Sequence, residues 1–304
     1  MVSRKIALVL SLVNMLAGCR AQADTQTIAP RPTLRFAMRP AEILTAFLRL
    51  PQFSIGVVPV GDSQKRLEAI DDGSIDVTNA VADVTYSAFY HGLPDHAAPL
   101  QNIRGIALMN RAVVHLLIGP RVDVRHGLGG MRIVLGDPAG ASRALGEQLV
   151  NSMGVASSEI DGEFVPYEAA VGKLLDGEVD ALIATLLPPQ EPIARAIRGG
   201  ARLLDINGRE VDYLREHYPL LRRTLIPSGT YPGQDAPLHT VGVDLLLVCR
   251  ADLDSAVVYA ITRALFEDIP RLARRQIDPY RAAATVIPLH PGAARYYRER
   301  EMQR

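Results

Sequence analysis

Apolar and polar positions alternate along this chain in two rhythms. Short apolar runs of strand length recur: "TLRFAM" (33–38), "FSIGVVPV" (53–60), "AVVHLLIG" (112–119), "MRIVLG" (131–136) and "TVGVDLLLVC" (240–249). Each predicts a strand. Between them the spacing turns helical. Pro40 opens a helix running to about Leu50, with proline in its first turn. Ser63 opens another, with Leu67 and Ile70 on one face. Leu145, Leu149 and Met153 share the inner face of a helix that Gly154 stops. "DSAVVYAITRALFEDI" (254–269) is strongly amphipathic, and "HPGAARYYRERE" makes a last helix with Pro291 at its start. Strands alternating with helices predict an α/β fold with mainly parallel sheets.

One pattern occurs twice. "RLEAIDDGSIDVTNA" (66–80) and "AVGKLLDGEVDALIA" (170–184) both end a helix in an acidic residue and Gly, then enter an apolar run through Ile or Val and Asp. Gly73 and Gly177 lie 104 positions apart, as do Asp76 and Asp180. Both glycines are expected just past a helix end in the left-handed conformation. One such unit in each half of the chain predicts two α/β lobes of similar build. We place the first lobe at residues 33–114 with 244–304, and the second at 115–243.

Composition narrows the class. Of 304 residues, 48% are hydrophobic and 22% charged, which are globular values. The formal net charge is zero; without Arg4 and Lys5 the count is 31 basic against 33 acidic residues. A nucleic-acid partner would need a basic footprint that this chain lacks. The segment 1–23 reads as a leader: "MVSRK" is a basic start and "IALVLSLVNML" an apolar core too short to span a bilayer. Two exits follow. "LAGC" (16–19) matches a lipobox, with Cys19 as the lipidated residue, and "AQA" (21–23) is an ordinary secretory site. Either implies export to an extracytoplasmic compartment, and the first implies membrane anchoring through lipid. "TQTIAPRP" then reads as a tether. A lipidated Cys19 leaves Cys249 alone, as a buried inert thiol in an apolar run.

Catalytic and metal signatures are missing. "GASRA" around Ser142 lacks the closing Gly of a nucleophile elbow, and "VGKLL" is no phosphate loop. The seven His are scattered, and His91 and His96 sit in a turn without acidic partners. We therefore expect a binding protein without cofactor or metal, rather than an enzyme. The best anion signal is "GDPAGASR" (136–143), which joins a strand to a helix start. Backbone N–H groups of Gly140, Ala141, Ser142 and Arg143 would face any acceptor there. Ser142 as a simple helix cap is the alternative. "VGDSQK" (60–65), with Gly61 and Ser63, holds the matching place in the first half.

Together, "GDPAGASR", "DGSIDV", "ADVTYSAFYHG", "DGEVDALIA", "IPSGTYPGQD", "LLLVCRADLDSAVVYAITRALFE" and "IPLHPGAARYYRERE" resemble the TAXI family, the substrate-binding proteins of tripartite ATP-independent periplasmic (TRAP) transporters. The resemblance runs from about Thr33 to the C-terminus. It implies a type II periplasmic-binding-protein fold whose two lobes close on a small organic anion, such as an amino acid or carboxylate, for delivery to a TRAP-type membrane permease. It also implies that the "TYPGQ" loop lies near the cleft, with Thr230 and Tyr231 beside the ligand; the alternative is that Tyr231 packs under the crossing between the lobes and touches no ligand. The chain departs from the family after its first strand. A loop of the form T-G-x-T-G-G-x-Y is usual there, and this chain has "RPAEILTAFLRL"; a polar pair usual before "DV" is Val81 and Ala82. Three consequences are open. Arg39, with Ser63, holds the ligand in place of the lost amides; the ligand is less polar at that end; or the protein is a sensor or scaffold that transports nothing. An enzyme on the same fold, using Asp62 or Asp83, is the more distant alternative.

Overall fold

Thr33–Ala37 forms β1 and Ser54–Val57 forms β2, paired in parallel from Thr33 opposite Ser54. The computed structural model describes residues 33–38, 47–48, 51–125, 127–136, 142–155, 161–163, 165–269 and 277–302. Side chains of 142–144, 161–163 and 302 are left aside. The chain separates into two units, Met1–Arg31 and Pro32–Arg304, and every described residue belongs to the second. The leader, Cys19 and most of the helix expected at 40–50 lie outside the described residues.

The remaining strands are β3 (Val77–Val81), β4 (Ile103–Ile118), β5 (Arg132–Val134), β6 (Asp161–Glu163), β7 (Ala181–Leu186), β8 (Arg202–Leu204), β9 (Arg222–Ile226) and β10 (Leu238–Arg250). The helices are α1 (Ser63–Asp71), α2 (Ala82–Tyr90), α3 (Ser142–Ser152), α4 (Tyr167–Asp176), α5 (Glu191–Arg198), α6 (Arg209–His217), α7 (Ser255–Glu267) and α8 (Pro291–Met302). β2 ends at Val57, three residues before the end of the expected apolar run. Val58 makes one last bond to Phe36, and Pro59, which has no N–H, cannot continue the ladder. β4 and β10 are longer than the runs that announced them, because each crosses from one half of the sheet to the other.

That crossing organises the fold. One half-sheet runs β2-β1-β3-β10-β4 and the other β6-β5-β7-β4-β8. In each, four strands run one way and one crossing strand runs against them. β4 is the reversed member of the second half and an edge strand of the first, while β10 is the reversed member of the first and runs on past β4. β9 adds to the start of β10. Where the two cross, Arg111 pairs in register with Asp244 and its guanidinium donates to that carboxylate at 2.8 Å. Arg281 donates to the other carboxylate oxygen at 3.2 Å.

The duplicated pattern is repeated atom for atom. Gly73 and Gly177 take the left-handed conformation, with φ of 78° and 81°. In the first half Asp76 accepts from the Arg35 backbone (2.7 Å) and from its Nε and Nη2 (3.1 and 2.9 Å), while Nη2 also reaches the Gly73 carbonyl (2.6 Å). In the second, Asp180 accepts from the Arg132 backbone (2.9 Å), Nε (3.1 Å) and Nη2 (3.0 Å), and Nη2 reaches the Gly177 carbonyl (2.9 Å). The guanidinium fork thus pins each helix end to the start of the strand beside it.

The core is two clusters of apolar side chains. The larger includes Phe36, Leu67, Ile70 and Leu246, and the smaller includes Leu117, Leu174, Ile193 and Tyr231. Cys249 is buried in the larger one, and burial pushes its thiol well above the usual range, as expected of an inert cysteine. Among the described residues no helix is long and apolar enough to cross a membrane. α8 closes the first half by packing on α7. A Cβ at Gly292 would overlap the Ser255 carbonyl and lie 2.8 Å from the Tyr259 nitrogen, both backbone. Gly292→Ala should therefore cost about 1–3 kcal/mol, the range for overpacking a tight contact. A lowered urea midpoint with an unchanged slope is the expected result.

Candidate ligand-binding site

In α/β sheets of this kind ligands sit beyond the carboxyl ends of the strands. Here β1, β2 and β3 end together. Met38 follows β1, the segment Val58–Gly61 follows β2, and β3 leads straight into α2 at Ala82. Met38, Val57, Val58, Pro59, Val60 and Gly61 line a cavity of about 340 Å³ at this edge.

α1 starts beside it. Its cap is Asp62, whose carboxylate accepts from the Lys65 N–H at 2.9 Å. Ser63, one residue on, is buried, and its hydroxyl is turned inward, taking hydrogen bonds from Arg66 Nη2 (3.2 Å) and the Val81 N–H (3.4 Å). Gly61 is exposed at the cavity rim. The expected pair is therefore split: Gly61 faces the cavity, and Ser63 supports it from behind.

Arg66 was not singled out in the sequence. It is 6% exposed and joins three pieces of this edge. Nε donates to the Asn79 carbonyl at 3.0 Å, Nη1 to the Gly61 carbonyl and Nη2 to Ser63. The signal lay in helical spacing, since Arg66 stands four residues before buried Ile70 and so on the inward face.

α2 carries Asp83 in the first half, and in the second half α3, which packs on α6, carries Glu147, with Tyr218 just past the end of α6. Burial raises the Asp83 pKa, although Val84 N–H donates to its carboxylate at 2.9 Å. The Tyr218 phenol is raised by burial first, then by the negative charges of Asp83 and Glu147.

The other expected residues fall as follows. Arg39, Gly140 and Ala141 lie outside the described residues. Ser142 and Arg143 begin α3, as the strand-to-helix reading required. Thr230 donates to the Pro227 carbonyl at 2.6 Å within its own turn. Tyr231 is 3% exposed and belongs to the smaller core cluster. Its hydroxyl lies 2.8 Å from His115 Nε2, and the backbone of Gln190, the residue before α5, also bonds it. The "TYPGQ" loop is thus tied to crossing strand β4 and to the start of α5. In this conformation the ring is an internal strut. Among the described residues no group of three or more His, Cys, Asp or Glu is placed to hold a metal.

Comparison with known proteins adds a family and a fold. Residues 46–300 match the NMT1-like family. The chain belongs to the NMT1-like family. Among solved structures, PhnD1 from Prochlorococcus marinus MIT 9301, in complex with methylphosphonate, is similar over 88% of this chain and 98% of its own, with a TM-score of 0.53 and 11% identity. The alkanesulfonate-binding protein SsuA from Xanthomonas axonopodis pv. citri, bound to MOPS, aligns over 88% and 84% with a TM-score of 0.45 and 17% identity. The periplasmic aliphatic sulphonate-binding protein SsuA from Escherichia coli gives 88% and 83%, 0.45 and 14%. The mixed α/β fold of this NMT1-like chain is that of periplasmic-binding proteins, consistent with the two-lobed type II arrangement.

Proposed function

We propose that this chain is an extracytoplasmic solute-binding receptor that captures a small organic anion by closing two lobes. The observation that carries the reading is the repeated half-sheet. Two copies of one strand order, joined by two crossing strands, set two carboxyl-end edges on one hinge. The lobes are residues 33–114 with 244–304, and 115–243. Binding to one lobe, closure and loss of water strengthen charge-assisted contacts, so no covalent step is needed. Gly140, Ala141, Ser142 and Arg143 grip the anion at the start of α3. Arg39 and Gly61 meet it from the first lobe, Ser63 holds that edge in place, and Thr230 and Tyr231 fix the loop beside it. The methylphosphonate in PhnD1 is a small anion held by this fold, which supports the ligand class.

Delivery to a TRAP-type permease and anchoring through Cys19 rest on the resemblance to TAXI receptors and on the lipobox. The missing Gly-rich loop after β1 favours one second reading, a sensor or scaffold that passes nothing to a permease.

The test is thermal unfolding of the purified full chain against amino acids, mono- and dicarboxylates, phosphonates and sulfonates. A ligand at 100 times its Kd adds about 2.7 kcal/mol, which raises the midpoint by a few degrees. Silence across the panel, with a cooperative transition, removes the receptor reading. With a ligand in hand, Arg143→Ala should weaken binding by about 1.5–3 kcal/mol, the worth of a hydrogen bond to a charged group; unchanged affinity by titration calorimetry takes Arg143 out of the site.

A further inference from the structure

The cavity at the first-lobe edge has a character that the anion reading does not use. Its lining between β2 and α1 is four successive apolar residues, Val57 to Val60, closed by Met38 from β1. A connection at a strand end is ordinarily polar, since it meets water. Val57 instead leaves 51% of its surface exposed, and it does so at a cavity wall. The end of β3 continues the theme, with buried Val81 and Ala82 where the family resemblance led us to expect a polar pair. A cavity of about 340 Å³ at the carboxyl end of parallel strands is the size and place of a small-molecule subsite. Behind its rim, the buried Arg66 guanidinium is bonded to the Gly61 and Asn79 carbonyls and to Ser63.

We infer that the ligand is an amphipathic acid, whose apolar arm, an aromatic ring or short alkyl chain, lodges in the cavity formed by Met38 and Val57–Gly61 while its acid group points to the second lobe. The inference rests on the receptor reading above and narrows it. The lining offers an arm dispersion contacts and removes its surface, and that of Val57, from water. A second charged group in the same place would lose hydration against the valine and methionine side chains of the described lining. The cavity therefore selects against short diacids and in favour of acids with one charged end.

The experiment is titration calorimetry on the full chain with acids matched in head group. Hexanoate and 3-phenylpropionate are compared with succinate, and phenylphosphonate with phosphonoacetate. The apolar-armed member of each pair should bind at least about tenfold more tightly, since burying an arm of this size is worth more than a factor of ten in affinity. The ring and chain arms show which shape the cavity prefers. Val57→Asp changes a side chain already half in water, so folding is retained. It should cut affinity for the apolar-armed acids by about tenfold or more and leave the polar-armed acids within about threefold. Val58→Asn is the second variant and should act in the same sense. Polar-armed acids that bind as well as their apolar partners, or a Val57→Asp protein that keeps the preference, overturn the inference and leave the receptor reading standing. Binding by none of these acids, with a ligand found elsewhere in the thermal panel, overturns the inference alone; silence in both experiments removes the receptor reading as well.

Discussion

Asp76→Ala should destabilise the protein by about 3 kcal/mol, and Asp180→Ala, its equivalent in the other half, by only about 1 kcal/mol. The bonds are the same in kind and nearly the same in length, so the difference comes from the surroundings. The Asp76 side chain is 6% exposed, whereas the Asp180 side chain is 24% exposed. Burial works to raise the Asp76 pKa, and the hydrogen bonds and charge of Arg35, with the charge of Arg250, outweigh it and hold the carboxyl below its usual range. For Asp180 the Arg132 hydrogen bond is the leading influence, and it lowers the pKa with little burial opposing it. Removing Asp76 strands the Arg35 N–H and takes a partner from Arg250, whose Nη1 lies 3.2 Å from the carboxylate. Arg35 itself is 42% exposed and recovers water, which keeps the cost at the low end for a buried pair. At Asp180 water reaches both partners, and the loss is that of a half-exposed bridge. Urea unfolding of the two variants beside the parent measures the contrast. Equal losses would mean that the backbone bond, common to both, dominates and that burial does not.

The repeat was legible because its markers are short-range. A helix-ending Gly and an Asp three residues later leave a local signature, which the chain carries twice at a constant offset. The arginines that complete the units were not legible, since Arg35 and Arg132 precede their aspartates by 41 and 48 residues. The same limit applies to the struts of the site. His115 and Tyr231 meet across 116 positions. The loop around Tyr231 advertised stiffness, but no local pattern says whether its ring faces a ligand or a strand. Ser63 shows a finer limit. The sequence marks a helix start with hydroxyl and carboxylate side by side, and either can cap. Only the position of Arg66 and β3 turns Ser63 inward and leaves the capping to Asp62. Likewise the apolar run to Val60 announced a strand. Pro59 ends pairing early, and the residues left over became the wall of a cavity.

His115 should make the protein lose about 2.5 kcal/mol of stability between pH 7 and pH 4.5. Its ring is fully buried on β4, and burial is the leading reason that its pKa falls from 6.5 to about 4. In the fold the ring is therefore neutral. Nδ1 lies 3.0 Å from the Val113 carbonyl, which can only accept, so Nδ1 carries the proton and Nε2 accepts from the Tyr231 hydroxyl at 2.8 Å. Protonation of Nε2 would turn the acceptor into a donor and place a charge in an apolar cluster. The sign follows. The unfolded chain binds a proton near pH 6.5 and the folded chain only near pH 4. The stability that neutral His115 represents is complete above about 6.5, falls as pH drops through that window, and is spent below about 4. The full gap corresponds to about 3 kcal/mol. Carboxylates held low by arginine, Asp76 and Asp180 among them, also lose stability in acid, so the parent alone cannot isolate the histidine. His115→Gln removes the titration. Urea unfolding of both proteins at pH 7, 5.5 and 4.5 should show the parent falling more steeply, with the difference between the two growing by about 2.5 kcal/mol. Tyr231→Phe supplies the complementary measurement. It leaves Nε2 buried without its donor and should cost about 1–2 kcal/mol at pH 7. Parallel pH curves for the parent and His115→Gln would show that His115 opens to water before it protonates, and that the strut between β4, the "TYPGQ" loop and α5 yields first when the fold is acidified.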